Sequence, residues 1–193
     1  MKRRLFNLLS GILHGMRQKF YSTHSTGRFI GSVNKIQPVL ILGFGLIEFE
    51  NNVKLGFFPS PFFFNGYIHL EARGELSSIK IGENTHINNN FVAIAEHTSI
   101  TIGKRCLIGT CVEIYDSDFH GIEVSERNKS EFENAKPVII EDDVFIGSNS
   151  KIMKGVKIGA GSVIAGGSIV TGEVPPGVVV GGNPARILKV ISE

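Results

Sequence analysis

Branched aliphatic residues recur every six positions in the stretch 137–171, at Ile140, Ile146, Ile152, Ile158, Ile164 and Val170. That spacing matches neither the 3.6-residue period of a helix nor the alternation of a strand. It predicts a solenoid whose short strands turn a corner every six residues, each sending one aliphatic inward. Gly147, Gly159 and Ala165 follow three of these positions, where the backbone needs room to bend. A less regular version runs from 79 to 114 through Ile81, Ile87, Ile102, Ile108 and Ile114, with a register shift at 94–99. Coils of about 18 residues, roughly two before and two after a gap, would stack about 4.8 Å apart into a short prism.

The departures from this rhythm divide the chain. Leu5, Leu8, Leu9, Ile12, Leu13 and Met16, with Phe6 on the flank, keep helical spacing and predict an amphipathic helix. Such a helix can cap the open end of the solenoid or lie on an anionic membrane surface. Polar residues at 21–36 predict an extended connection, and short apolar runs at 38–56 an irregular first coil. Residues 56–66 hold five phenylalanines and two prolines, expected as filler at the blunt end, as a subunit contact, or as the wall of a cleft. Mostly polar residues at 115–136 interrupt the repeat and predict an inserted loop, where repeat proteins often carry function. Pro175 and Pro176 stop the repeat, and a short terminal helix is expected from about Pro184. The whole reads as one domain over 1–193. Its parts are a helix and connection at 1–36, first coils at 38–114, an inserted loop at 115–136, final coils at 137–173, and a terminal turn and helix at 174–193.

Charge changes the picture at one end only. The net charge is +2, but the first 35 residues carry Lys2, Arg3, Arg4, Arg17, Lys19, Arg28 and Lys35 with no Asp or Glu. The rest is acidic, which argues against a nucleic-acid binder. Cys106 and Cys111 form neither a zinc spacing nor a disulfide framework, and fit a reducing compartment. No run is long enough to span a membrane, and nothing resembles a signal-peptide cleavage site.

His120 is the only histidine of the inserted loop. An imidazole can accept a hydroxyl proton near neutrality, and Asp116 and Asp118 are expected to fix its tautomer and support its charge. No serine lies in a nucleophile elbow, so direct transfer to a substrate hydroxyl is simpler than a covalent intermediate. His86 and His97 read as structural or solvent-facing, and no catalytic metal is expected. One of Asn88, Asn89 and Asn90 would face outward and bond a polyhydroxyl acceptor. The glycine-rich corners between 147 and 167 suit a long amide-bearing cofactor arm, and Arg186 and Lys189 suit its phosphates.

The segments IGENTHINNN, IGKRCLIGTCVEIYDSDFH, VIIEDDVFIGSNSKIMKGVKIGAGSVIAGGSIV and VPPGVVVGGNPAR resemble the hexapeptide-repeat acyltransferases, in their sugar O-acetyltransferase branch. The resemblance implies an all-β, left-handed parallel β-helix, a homotrimer, and acetyl-CoA held in clefts between subunits. It implies His120 as general base, Asn90 as the substrate-binding asparagine, and Ser148, Gly166, Thr171, Arg186 and Lys189 as cofactor contacts. Gly172 stands where the family often has a lysine. The N-terminal carboxylate of the maltose-type enzymes has no counterpart, which favours a polysaccharide precursor, lipid-linked at the membrane, over a free sugar. The expected activity is therefore acetyl transfer from acetyl-CoA to a sugar hydroxyl in the cytoplasm, at or near the inner membrane face. An N-acetyltransferase acting on an amino sugar and a non-catalytic β-helix scaffold are the competing readings.

Overall fold

The computed structural model describes residues 2–191, with side chains from Leu9 onward. The side chains of Leu5, Phe6 and Leu8, and those of Lys2, Arg3 and Arg4, lie outside the described residues. The chain opens with a helix, Lys2–His24, and its later strands pair in parallel except for the last pair, with two short 3-10 turns, Val124–Glu126 and Phe132–Asn134, in the inserted loop.

Three faces build the coiled prism. The first stacks Ser78–Ile81, Ser99–Ile102, Val138–Ile140 and Lys157–Ile158. The second stacks His86–Ile87, Leu107–Ile108, Phe145–Ile146, Val163–Ile164 and Val178–Gly182. The third stacks Val39–Gly43, Ile68–Ala72, Val92–Ala95, Glu113–Tyr115, Lys151–Ile152 and Ile169–Val170. Leu46–Leu55 joins the first two faces by bending around their shared corner, where Asn52 takes a φ of 58°.

Stacking in register places like on like. Ile140 sits beside Ile158, Ile146 beside Ile164, and Ile152 beside Val170, one 18-residue coil apart. All eleven aliphatics that carry the six-residue rhythm are at most 3% exposed. A second inward set precedes them by two residues: Val138, Val144 and Val156, together with the buried serines Ser150, Ser162 and Ser168. Their hydroxyls bridge neighbouring coils, Ser162 Oγ donating to the Pro175 carbonyl at 2.7 Å and Ser150 Oγ to the Ala165 carbonyl at 3.2 Å. Serine at a corner therefore satisfies backbone that an aliphatic would leave bare.

The ends depart from expectation in two ways. The N-terminal helix continues to His24, well past Met16, and residues 28–35 form a strand parallel to Leu46–Leu55. The terminal helix expected from Pro184 is a strand instead. Ala185–Val190 folds back antiparallel on Val178–Gly182. Gly182, at φ +103°, turns the hairpin, and the β-branched Ile187 and Val190 favour an extended chain over so short a helix.

The aromatic run is mostly surface. Phe63 is 9% exposed, while Phe57, Phe58, Phe62 and Phe64 are 43–57% exposed. Asn89, fully buried, pins this segment to the coil above: its Nδ2 donates to the carbonyls of Phe57 and Pro61, both at 2.9 Å, and its Oδ1 accepts from the Phe57 N–H at 3.0 Å.

Candidate active site

The register shift at 94–99 has its cause in the next coil. Three residues, Glu96, His97 and Thr98, bulge at the corner between the third and first faces. The buried carboxylate of Asp116 accepts their backbone N–H groups at 2.7, 3.1 and 2.7 Å, and the Thr98 hydroxyl at 2.9 Å. Asp116 is thus the clasp of that corner. The inserted loop leaves the prism from the same place.

Directly after it, Ser117 Oγ accepts the Phe119 N–H at 3.0 Å, and Phe119 takes a φ of 62°. This conformation is uncommon for a bulky residue and it swings the following side chain, His120, outward. The Phe119 ring lies edge-on to Tyr115 and over the Arg73 guanidinium, whose central carbon is 5.2 Å from the ring centroid. Gly121 closes the turn through N–H bonds to the Glu126 and Lys129 carbonyls. A methyl there would stand 2.4 Å from Glu126 Cβ and 2.8 Å from its carbonyl oxygen.

The imidazole of His120 is exposed, and its Nδ1 lies 2.8 Å from the Arg127 carbonyl. A carbonyl only accepts, so Nδ1 carries the proton and Nε2 keeps a free lone pair. The ring borders an open cavity of about 560 Å³ with Tyr115, Phe119, Met153 and Arg73. The expectation that Asp116 and Asp118 hold the imidazole is corrected by their contacts. Asp116 is engaged with residues 96–98, and Asp118 pairs with Lys154. The tautomer is set by a main-chain carbonyl contributed by the loop itself, which no side-chain pattern encodes.

Arg73, not singled out by the sequence, supports this corner from below. Its guanidinium grips Glu71 through Nε at 2.9 Å and Glu96 through Nη1 at 3.0 Å. Burial pushes the Glu71 carboxyl up, but hydrogen bonds and charge from Arg73 and His69 outweigh it and leave it below the usual range. A depressed carboxylate contributes stability above its unfolded pKa and loses it as pH falls through the folded one. Glu71→Gln should therefore melt below the parent at pH 7, and the gap should close on acidification below about pH 4, as followed by thermal unfolding across pH.

The other expected site residues lie elsewhere. Asn90, Ser148 and Gly166 line the edge between the second and third faces. Asn90, Cys111, Asn149 and Gly167 stack there as a column of left-handed corners, with φ of 60, 56, 61 and 74°. Ser148 Oγ accepts the Thr110 N–H at 3.1 Å, and its carbonyl accepts the Gly167 N–H at 2.8 Å. A methyl built on Gly167 meets nothing and one on Gly166 meets only Ser148 backbone, its carbonyl oxygen at 3.2 Å, while one on Gly147 would reach Gly166 N at 2.5 Å. Asn90 Nδ2 approaches Cys111 Sγ at 3.4 Å. Thr171 and Arg186 share a cavity of about 230 Å³ with Gly172 and Glu173 on the last coil. Lys189 lies further along its strand, opposite Val179. Within one chain the third face separates His120 from Asn90, Ser148 and Gly166.

Neither cysteine has the setting of a nucleophile. Burial pushes the Cys106 thiol up to about 11, and Cys111 is a partly buried corner residue. Among the described residues no group of three His, Cys, Asp or Glu side chains is arranged to hold a metal ion.

A three-faced stack of six-residue turns with one looped imidazole defines a hexapeptide-repeat transferase scaffold, and comparison with known proteins agrees. Residues 137–172 match the family described as the hexapeptide repeat of succinyl-transferase. The solved polySia specific acetyltransferase NeuO is 32% identical, over 86% of this chain and 72% of that one, with a TM-score of 0.66. The hexapeptide-repeat acetyltransferase VCA0836 of Vibrio cholerae O1 biovar eltor, solved with acetyl coenzyme A, is 43% identical over 60% of this chain and 61% of that one, with a TM-score of 0.55. The Saccharomyces cerevisiae protein YJL218W is 42% identical over 61% of this chain. The chain spans 58% of that relative's length. It belongs to the hexapeptide-repeat acyltransferase family.

Proposed function

We propose that this protein is an acetyl-CoA-dependent O-acetyltransferase acting on a hydroxyl of a sugar or cell-surface polysaccharide precursor in the cytoplasm. Its coils wind in the left-handed sense and it works as a homotrimer. The observation that carries the reading is the His120 imidazole, anchored through Nδ1 on the Arg127 carbonyl with Nε2 free to take a proton. In this reading Nε2 removes the acceptor hydroxyl proton as the oxygen attacks, and the imidazolium is steadied by its bond to the carbonyl. Acetyl-CoA would supply the thioester, whose C–S bond breaks as the ester forms, and the His120 imidazolium would return its proton to the departing thiolate.

The open edge at Ser148, Gly166 and Gly167 fits an extended amide-bearing chain, because no side chain of its own projects over Gly166 or Gly167. A backbone N–H at that corner would meet the charge developing on the carbonyl oxygen. Arg186, beside Thr171, would hold phosphate; Glu173 in the same cavity weakens that contact, and Gly172 adds none. Asn90 would bond the saccharide. The separation of His120 from the opposite edge supports a site completed by a second copy, which brings its edge to the first copy's imidazole.

The test combines turnover with complementation. The wild-type protein should transfer acetyl from acetyl-CoA to a saccharide, with the ester located by mass spectrometry. Refolded mixtures of His120→Ala and Asn90→Ala chains should recover activity that neither variant has alone, since some trimer sites then draw both intact halves. Amide rather than ester products would select the amino-sugar reading. Absence of recovery would place both halves in one chain.

A further inference from the structure

The two faces of the N-terminal helix meet different surroundings. One is docked on the first coil. The His14 ring stacks on Phe63 at 4.7 Å and Tyr21 on Tyr67 at 4.6 Å, while Gln18 Nε2 donates to the Lys35 and Ile36 carbonyls at 3.0 and 3.3 Å. Arg17 donates to the carbonyls of Phe63 and Gly66. The opposite face carries Leu9, Ile12, Leu13, Met16 and Phe20 at helical spacing, each 52–65% exposed. A helix whose only task was to close the solenoid would turn its apolar stripe inward. This one turns it out.

The stripe continues onto the coil. Phe64, 44% exposed, joins Leu9 and Leu13 around a shallow cavity of about 360 Å³. Phe58, 57% exposed, lies edge-on to Phe64 at 5.9 Å. A contiguous exposed apolar surface marks an interaction site, and its charge says with what. Seven basic and no acidic residues occupy the first 35 positions, whereas the remainder holds 13 basic against 18 acidic. Lys19, exposed, lies on the flank of the stripe.

We propose that this face docks the protein on an anionic phospholipid bilayer, the helix lying in the interface plane. The apolar stripe and the neighbouring phenylalanines enter the acyl boundary, and Lys19 on its flank meets lipid phosphate. Among the described residues no helix is long and apolar enough to cross a membrane, so the contact stays on the surface. A second copy paired on the same face would meet a segment of the same sign, with seven basic and no acidic residues in its first 35. This inference does not depend on acetyl transfer, and its test reads binding alone.

The full-length protein is sedimented with phosphatidylcholine vesicles, either neutral or containing phosphatidylglycerol. Binding to the anionic vesicles should be at least about tenfold stronger and should fall as salt screens the charges. The double variant Leu13→Gln/Met16→Gln should weaken it by about tenfold or more, and Lys19→Gln by about fivefold. Positions this exposed should leave thermal unfolding unchanged; were the double variant to unfold, Lys19→Gln would carry the test. Equal binding to both vesicle types, or indifference to these substitutions, would overturn the proposal. So would self-association without vesicles that Leu13→Gln/Met16→Gln abolishes, which would assign the face to a second copy.

Discussion

His120→Ala should lower acetyl transfer by about 10²- to 10⁴-fold, the range over which a positioned general base contributes. The fall should appear in kcat, with the acceptor KM little changed, because the proton is taken only as the new bond forms. Stability should not follow. The side chain is exposed and makes one hydrogen bond, to the Arg127 carbonyl, which water can replace. His120→Gln refines the result: an amide can keep the bond to that carbonyl but cannot accept a proton, so it should be as inactive as alanine. Activity in either variant near that of the parent would remove His120 from the mechanism. Steady-state kinetics with an identified acceptor, alongside thermal unfolding of each variant, makes the measurement.

The coil was legible because its signal is redundant. Eleven aliphatics, in three runs of six-residue spacing, report the same geometry, and each is buried where the spacing puts it. The serines at 150, 162 and 168 obey the same six-residue rule, yet hydropathy hides them; only the demand that corner backbone be satisfied gives them an inward role. The C-terminal segment is a strand and not the expected helix because Asn183 and Pro184, following Gly181 and Gly182, make a tight turn between two strands. The candidate histidine was legible in the sequence, and its support less so. A lone histidine in a lone insertion could be found from the sequence. The carbonyl that sets its tautomer belongs to the backbone of Arg127, and the arginine beneath Phe119 comes from two coils below. Proximity in sequence suggested Asp116 and Asp118 for that work, but in a solenoid the nearest neighbours are a coil away.

Asp116 holds residues of the neighbouring coil and not its neighbour in sequence. If it oriented His120, alanine there would cost activity and spare stability. The structure leads to the opposite expectation. Its two oxygens accept three backbone N–H groups and one hydroxyl from residues 96–98, with the side chain fully buried. Removing them strands three donors at a corner, each costing about 1–3 kcal/mol if water cannot reach it. With partial relaxation, Asp116→Ala should lose about 4 kcal/mol, or about 10 °C in melting temperature for a chain of this size. Asp116→Asn should lose less but not nothing, since one oxygen remains an acceptor while the amide nitrogen would face the N–H groups of His97 and Thr98. The corner that this carboxylate clasps is also the root of the inserted loop, where the Asp116 carbonyl accepts the Lys136 N–H at 2.8 Å as the loop returns. Loosening it should therefore raise hydrogen exchange at 96–98 and at 117–136 together. Exchange measured by mass spectrometry separates the two roles: a stable corner with lost turnover would restore Asp116 to the catalytic apparatus, and a loosened corner makes it the support on which the imidazole stands.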